Sequence, residues 1–332
     1  MSIVSTRYGD MRIIDNDKVI SHSLLIYGEW AMDEINLLKQ IITPGAYVLD
    51  VGAFIGTHTL AFSNMVGEQG KVYSFEPRRE IYTILSENIS TNCKNVIAQN
   101  IGLAEELKTL HLDRIDTKSN ENFGGLSLSE DLESSSNTYQ VEISTIDALD
   151  FKKIDLIKID VEGMERKVLD GAVKSIRRHK PVIYCECNSL NAGNEIIEFC
   201  SEQKYKVWGF LASAYNPNNF NEVADNLFGE AKELALLLIP KERDEMPLDK
   251  SSIDKLLPVI TLEDLVLPLL HKPQYAHEIL ATTFTSKLGI NFPSPIVVKL
   301  NKQIEDINQV VSERDKQIED INQVVSERDK QI

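Results

Sequence analysis

The stretch VLDVGAFIGTHTLAFS at 48–63 constrains this chain more than any other. Apolar residues surround an acid at Asp50, a turn follows with Gly52 and Gly56, and polar residues then open a second apolar run. That pattern is a strand, a tight turn and a helix, with an acid near the strand's carboxyl end. The rhythm recurs. Compact apolar runs at 72–76, 96–100, 156–160 and 182–186 each end on a polar or acidic residue, and further strands are expected at 205–210 and 234–239. Segments with helical spacing at 79–90, 164–177 and 192–203 lie between most of them. The alternation predicts an α/β fold, a mainly parallel sheet with helices on both faces, whose ligands collect where strand carboxyl ends meet. Asp50, Glu76, Asn100, Asp160 and Glu186 then converge on one crevice.

The turn restricts what the crevice holds. A dinucleotide turn uses G-x-G-x-x-G because a pyrophosphate approaches the backbone closely at the helix start. Here Phe54 stands two residues after Gly52 and the glycines are spaced Gly-x-x-x-Gly, so that phosphate seat is obstructed. A looser turn suits a ligand with no phosphate, such as the methionyl part of S-adenosylmethionine. Glu76, ending the second strand, can accept hydrogen bonds from both ribose hydroxyls. Glu76 alone would fit NAD equally well. The pairing with Phe54 discriminates, leaving a nicotinamide-dependent reductase as a distant alternative. Asn100 reads equally as an adenine contact or a turn residue.

Three segments carry a family resemblance: PGAYVLDVGAFIGTHTLAFS, VYSFEPRREIYTILSENI and DLIKIDVEGMERKVLDGA at 155–172. In this order and spacing they resemble the FkbM-type S-adenosylmethionine-dependent methyltransferases, a branch of the class I methyltransferase fold, over roughly residues 28–240. The resemblance implies a Rossmann-like sheet of seven strands. It implies cofactor contacts at Asp50, Gly52, Ala53, Phe54, Gly56, Thr57 and His58, at Glu76 and Pro77, and at Asn100 and Asp160. Phe54 departs from the asparagine more frequent in the family, which affects any side-chain contact there but not the backbone turn. AYNPNNF at 214–220, with NLFG at 226–229, resembles the family's acceptor-side region and points to Asn216 and Asn219 as substrate-binding residues. The implied acceptor is a hydroxyl of a carbohydrate, a bacterial surface polysaccharide or its precursor.

Methyl transfer from a sulfonium is an in-line displacement that rewards alignment of donor and acceptor. A sugar hydroxyl must also lose its proton, to a positioned base or under the influence of a divalent metal. The catalytic candidates are Asp160, Glu162, Glu186 and His58. Asp160 and Glu162 share one side if the strand persists, and Glu186 completes a three-acid cluster. Asp160 and Glu186 are the ligands if a metal is used, although no Asp-Asp-Asn set is read and the balance is against one. Glu162 reads alternatively as a cap for the helix opening at Met164, and His58 reads better as support for the turn than as a base. Trp30 and Glu34, placed on a helix before the first strand, are candidates for the acceptor side, with packing and solvation as the simpler accounts. The rival is a catalytically inactive methyltransferase-like binding module displayed by a coiled coil.

The chain has 35 basic and 51 acidic residues, a net charge of −16, which argues against nucleic-acid binding. Arg177, Arg178, His179 and Lys180 read as a solvated helix end. Four cysteines are too few for a disulfide framework. No apolar run reaches a membrane span and the amino terminus lacks a signal core, so the expected location is cytoplasmic, peripheral to the inner membrane only through a partner. Residues 1–46 are a lead-in segment and helix, and 47–240 the methyltransferase domain. A Ser-, Asn- and Asp-rich insertion at 105–139 lies within that domain, and 241–296 form a proline-punctuated connector. KQIEDINQVVSERD at 302–315 repeats identically at 316–329. With Ile304, Val311 and Ile318 at heptad position a, and Ile307 and Ile321 at d, residues 297–332 predict a coiled coil that makes the chain a homo-oligomer. Isoleucine at both positions favours three or four strands, and the stop in mid-heptad reads as a fragment of a longer coil.

Overall fold

The computed structural model describes residues 2–117, 122–125, 137–243 and 248–270. Met1–Lys272 forms one compact unit; the second unit, Pro273–Ile332, carries the expected coiled coil and lies outside the described residues. Most of the insertion's Ser-rich part lies outside them as well.

The chain opens with a hairpin, β1 (Ile3–Thr6) and β2 (Gly9–Arg12), then α1 (Ile20–Tyr27) and α2 (Met32–Ile41). The alternating part follows as β3 (Tyr47–Val51), α3 (Thr57–Val66), β4 (Lys71–Phe75), α4 (Arg79–Asn92) and β5 (Val96–Gln99). Three strands then form a small separate sheet, β6 (Gly102–Leu103), β7 (Lys108–Asp113) and β8 (Thr138–Ser144). After β9 (Leu156–Ile159) come α5 (Glu165–Asp170), α6 (Val173–His179), β10 (Val182–Glu186), α7 (Leu190–Gln203), β11 (Tyr205–Ser213) and β12 (Lys232–Pro240). The described part ends with α8 (Lys250–Lys255), β13 (Leu256–Val259) and α9 (Val266–Leu270).

The central sheet has eight strands in the order β13-β11-β12-β10-β9-β3-β4-β5, one more than the expected seven. β10, β9, β3, β4 and β5 run parallel, while β12, β11 and β13 alternate antiparallel. The extra strand comes from the span assigned to the connector: Val259 pairs with Val207 and Leu256 with Phe210. Pro258 lacks an N–H for a sheet ladder, and an edge strand tolerates that loss. A second difference is at 164–177, where one expected helix is two. The break falls at Gly171, where a Cβ would stand 1.9 Å from the Ala104 carbonyl oxygen. Backbone passes backbone there, so only glycine fits.

Alternation along the central strands gives the sheet two faces. Leu49, Ile157, Ile159, Ile183 and Cys185 pack under Val168, Leu169, Ile176, Ile196 and Phe199 of α5, α6 and α7. Val48, Leu156, Val182 and Leu237 face Leu38 and Ile41 of α2 and Phe62 and Val66 of α3. Asp50 and Lys158, two residues beyond Val48 and Leu156, therefore lie on the α2–α3 face. That face positions the site.

Candidate active site

Strand register lines up four polar residues. Asp50 of β3 is level with Ser74 of β4 on one side and Lys158 of β9 on the other, and Lys158 is level with Tyr184 of β10. All four are buried, Asp50 at 0% exposure and Lys158 at 3%. Thr59 of α3 closes one end, donating to Asp50 Oδ2 at 2.6 Å and meeting the Ser74 hydroxyl at 2.9 Å. The Lys158 ammonium lies 3.7 Å from Asp50 Oδ1 and 3.0 Å from Asp160 Oδ2, and donates to the Gly52 carbonyl at 3.4 Å. Burial alone would discharge this lysine, but Asp160 and Asp50 outweigh it and raise its pKa. Burial would likewise raise Asp160, yet Lys158 holds its carboxyl below the ordinary range. The sequence reading missed Lys158. Its signal is a lone cation inside the apolar run LIKI, level with an acid on the next strand.

Above this row stands the glycine turn. Gly52 has φ +81°, and a Cβ there would meet the Asp160 carbonyl oxygen at 1.8 Å, so the turn and the β9 exit are in backbone contact. The Gly52 and Ala53 N–H groups donate to the Phe75 carbonyl at 3.1 and 3.0 Å, and Phe54 sits at φ +49°. Glu76 is locked from two sides: Oε2 accepts from Phe54 N at 3.2 Å and Oε1 from Arg78 N at 2.8 Å. Each oxygen keeps a second lone pair for a ribose hydroxyl. Burial pushes Glu76 up to about 7 despite these donors. Asn100 gives its amide to the Glu76 and Pro77 carbonyls, at 2.8 and 2.9 Å, and so buttresses the second strand end. Thr57 and His58 open α3 directly behind Gly56, both buried.

Asp160, Glu162 and Glu186 do come together: one oxygen from each lies within 4.8 Å of the others, a geometry able to hold a cation. Glu186 stands close enough to Asp160 to act with Lys158 in holding its carboxyl low. Glu162, at φ +52°, accepts from Asn188 at 3.4 Å. The carboxyl at the following helix start is that of Glu165, whose Oε1 accepts the Gly163 N–H at 3.0 Å.

The remaining candidates are engaged within the protein. Glu34 is on α2 but is buried, not solvated, and its Oε2 lies 3.2 Å from His58 Nε2. Burial pushes Glu34 up to about 7 and His58 down to about 4, so the ring is neutral. Trp30 is in the turn between α1 and α2, buried edge-on against Phe228 with ring centroids 5.6 Å apart. Asn216 donates to Glu29 Oε1 at 2.7 Å, and the same buried carboxylate holds Arg7 and the Phe220 N–H. Asn219 braces its own loop through the Asn216 and Val223 carbonyls and the Val223 N–H. These asparagines fasten the 216–223 loop to the amino-terminal segment.

Residues 50–227 match the family described as the methyltransferase FkbM domain. No curated protein matches the sequence. Among solved structures, a methyltransferase FkbM from Methylobacillus flagellatus KT aligns at 16% identity over 59% of this chain, with a TM-score of 0.37. This chain spans 44% of that protein's length. A SAM-dependent O-methyltransferase from Thermotoga maritima aligns at 14% identity over 74% of this chain and 79% of its own, TM-score 0.38. Aeropyrum pernix fibrillarin, in complex with natively bound S-adenosyl-L-methionine, aligns at 10% identity over 72% of this chain and 81% of its own, TM-score 0.37.

Proposed function

The chain belongs to the FkbM methyltransferase family, and from that premise we propose that it transfers a methyl group from S-adenosylmethionine to a hydroxyl of a carbohydrate, a surface polysaccharide or its precursor. The arrangement of Glu76 carries the cofactor part of this reading. Two backbone N–H groups fix its carboxyl beside the glycine turn with lone pairs to spare, while the Phe54 N–H is already spent on Glu76 and cannot turn to a pyrophosphate. The residues fit the donor: Gly52, Ala53 and Gly56 shape the cradle, Glu76 takes the ribose, and the Asp50–Lys158–Asp160 row lies beneath. When bound, the cofactor supplies an electrophilic methyl group on a sulfonium.

The chain's own part is orientation and proton removal. Asp160, kept anionic by Lys158 and partly exposed to the crevice, accepts a hydrogen bond from the acceptor hydroxyl and takes its proton as that oxygen becomes acidic. Glu186 and Glu162 crowd two further carboxyl groups beside it, an arrangement that favours a neutral polyol over an anionic acceptor. The same trio would hold a divalent cation and lower the hydroxyl's pKa if a metal is used. Self-association through the heptads of 297–332 belongs to the same proposal, and no helix among the described residues is long and apolar enough to cross a membrane.

The test is Asp160→Asn, read by calorimetry and by turnover on a hydroxylated glycan. Cofactor affinity is expected to stay within a few-fold while transfer falls by about 10²–10⁴, the usual contribution of a general base. Unchanged turnover would remove Asp160 from the reaction. NAD binding in preference to S-adenosylmethionine would remove the cofactor assignment, and cofactor binding by the natural chain without transfer to any glycan would leave a binding module.

A further inference from the structure

The Glu34–His58 contact takes no part in the reaction as described above, and Glu34 precedes the residues matched by the family. Both residues are 6% exposed. Around them stand Lys158 and Asp160 from β9 and its exit, Asp50 from β3, Tyr184 from β10 and Asp33 beside Glu34 on α2. Lys158 is one cation touching two carboxylates, so the buried row is already net negative before Glu34 is counted. A neutral His58 does not balance a further charge.

We infer that the Glu34–His58 pair is a charge selector for the cofactor, its ionised carboxylate favouring the cationic sulfonium donor over the neutral thioether product. The inference rests on the cofactor reading above. With Glu34 as an acid, its O–H donates to His58 Nε2 and the imidazole proton sits on Nδ1. With Glu34 as a carboxylate, the imidazole shifts its proton and donates from Nε2, while one proton has left to solvent. His58 is neutral in both states, so the pair changes its net charge by one and nothing nearby cancels it. Linkage then runs both ways: loss of the proton strengthens donor binding relative to product, and donor binding drives the proton off. Replacement of spent product by fresh donor is thereby coupled to one buried carboxyl. Burial sets its pKa at about 7, so the exchange responds to pH near neutrality.

Calorimetry with S-adenosylmethionine and S-adenosylhomocysteine between pH 5.5 and 8 tests this. The ratio of the two affinities is expected to rise with pH through about 7, by roughly three- to tenfold for a screened charge pair in one site. In Glu34→Gln, an uncharged isostere, the ratio is expected to stay at its low-pH value apart from the ligands' own titration. A natural-chain ratio that is flat, or as steep in Glu34→Gln, overturns the inference. Should that variant fail to fold, proton release by the natural chain at pH 7 decides, measured in buffers of different ionisation enthalpy. Greater release with the sulfonium than with the thioether supports the selector, and equal release overturns it. If neither ligand binds at any pH, the cofactor reading falls and takes the selector with it; binding of both without a pH-dependent ratio sinks the selector alone.

Discussion

Lys158 shows how one side chain sets the charge of a site. A lysine buried to 3% exposure survives as an ammonium only because Asp50 and Asp160 lie 3.7 and 3.0 Å away. Two demands then meet in one group. Its charge holds the Asp160 carboxyl below the ordinary range, and its bond to the Gly52 carbonyl ties β9 to the turn. Lys158→Met removes the cation and leaves two carboxylates uncompensated, one of them wholly buried. The expected loss is about 3–5 kcal/mol, the range seen when one partner of a buried pair is deleted, read as a shift in the urea midpoint. Adding Asp50→Asn to Lys158→Met should restore part of it, because the orphaned charge goes too. A double variant as unstable as the single one would mean that Lys158 acts through packing of its stem, not through charge.

At the scale of elements, the β3 turn is where geometry leaves least choice. Gly52→Ala combines φ +81° with a contact of 1.8 Å to the Asp160 carbonyl oxygen, and no rotamer relieves a clash between backbone atoms. Gly67 ends α3 at φ +65° and ψ −170°, a region open in practice to glycine alone, with nothing within 4 Å, so Gly67→Ala meets only the backbone cost, about 1–3 kcal/mol. Thermal unfolding should separate the two by several degrees, and cofactor binding should vanish only in Gly52→Ala. The same contrast explains what the sequence could and could not tell. β3, β4, β9 and β10 are covered on both faces, so each is a compact apolar run, and Asp160 and Glu186 come together at their carboxyl ends while Asp50 is buried beneath the turn. β13 was hidden by Pro258, whose tolerance depends on an edge position that local pattern does not carry. The division between α5 and α6 follows from Ala104 crossing Gly171, a tertiary contact. The row Ser74–Asp50–Lys158–Tyr184 needs register, and register across a parallel sheet is set by helices far away in sequence. Glu34 looked solvated because its burial depends on His58, a partner 24 residues on. The glycine turn, whose chemistry is local, was legible; the hydrogen-bond partners of Asn100, Asn216 and Asn219 were not, since an amide's partner cannot be read from its neighbours.

On the scale of the whole molecule, the candidate site and the duplicated repeat fall in separate parts of the chain. Every residue of the crevice lies within Met1–Lys272, a unit with its own two-sided core. The duplicated KQIEDINQVVSERD lies beyond it, and its apolar positions recur at the heptad spacing that specifies association between helices. A heptad seam of this kind, with polar residues at the other positions, favours association between chains over packing on a core. A chain cut after Lys272 is therefore expected to unfold cooperatively and bind S-adenosylmethionine within about twofold of the full chain, since every residue of the crevice is retained. It should sediment as a monomer where the full chain sediments as a trimer or tetramer. Ile304→Asp with Ile318→Asp in the full chain should have the same effect on sedimentation, because each charge falls at position a. A full chain that is monomeric at micromolar concentration would break the link between the repeat and assembly. A truncated chain that loses the cofactor would instead place part of the site's support in the tail.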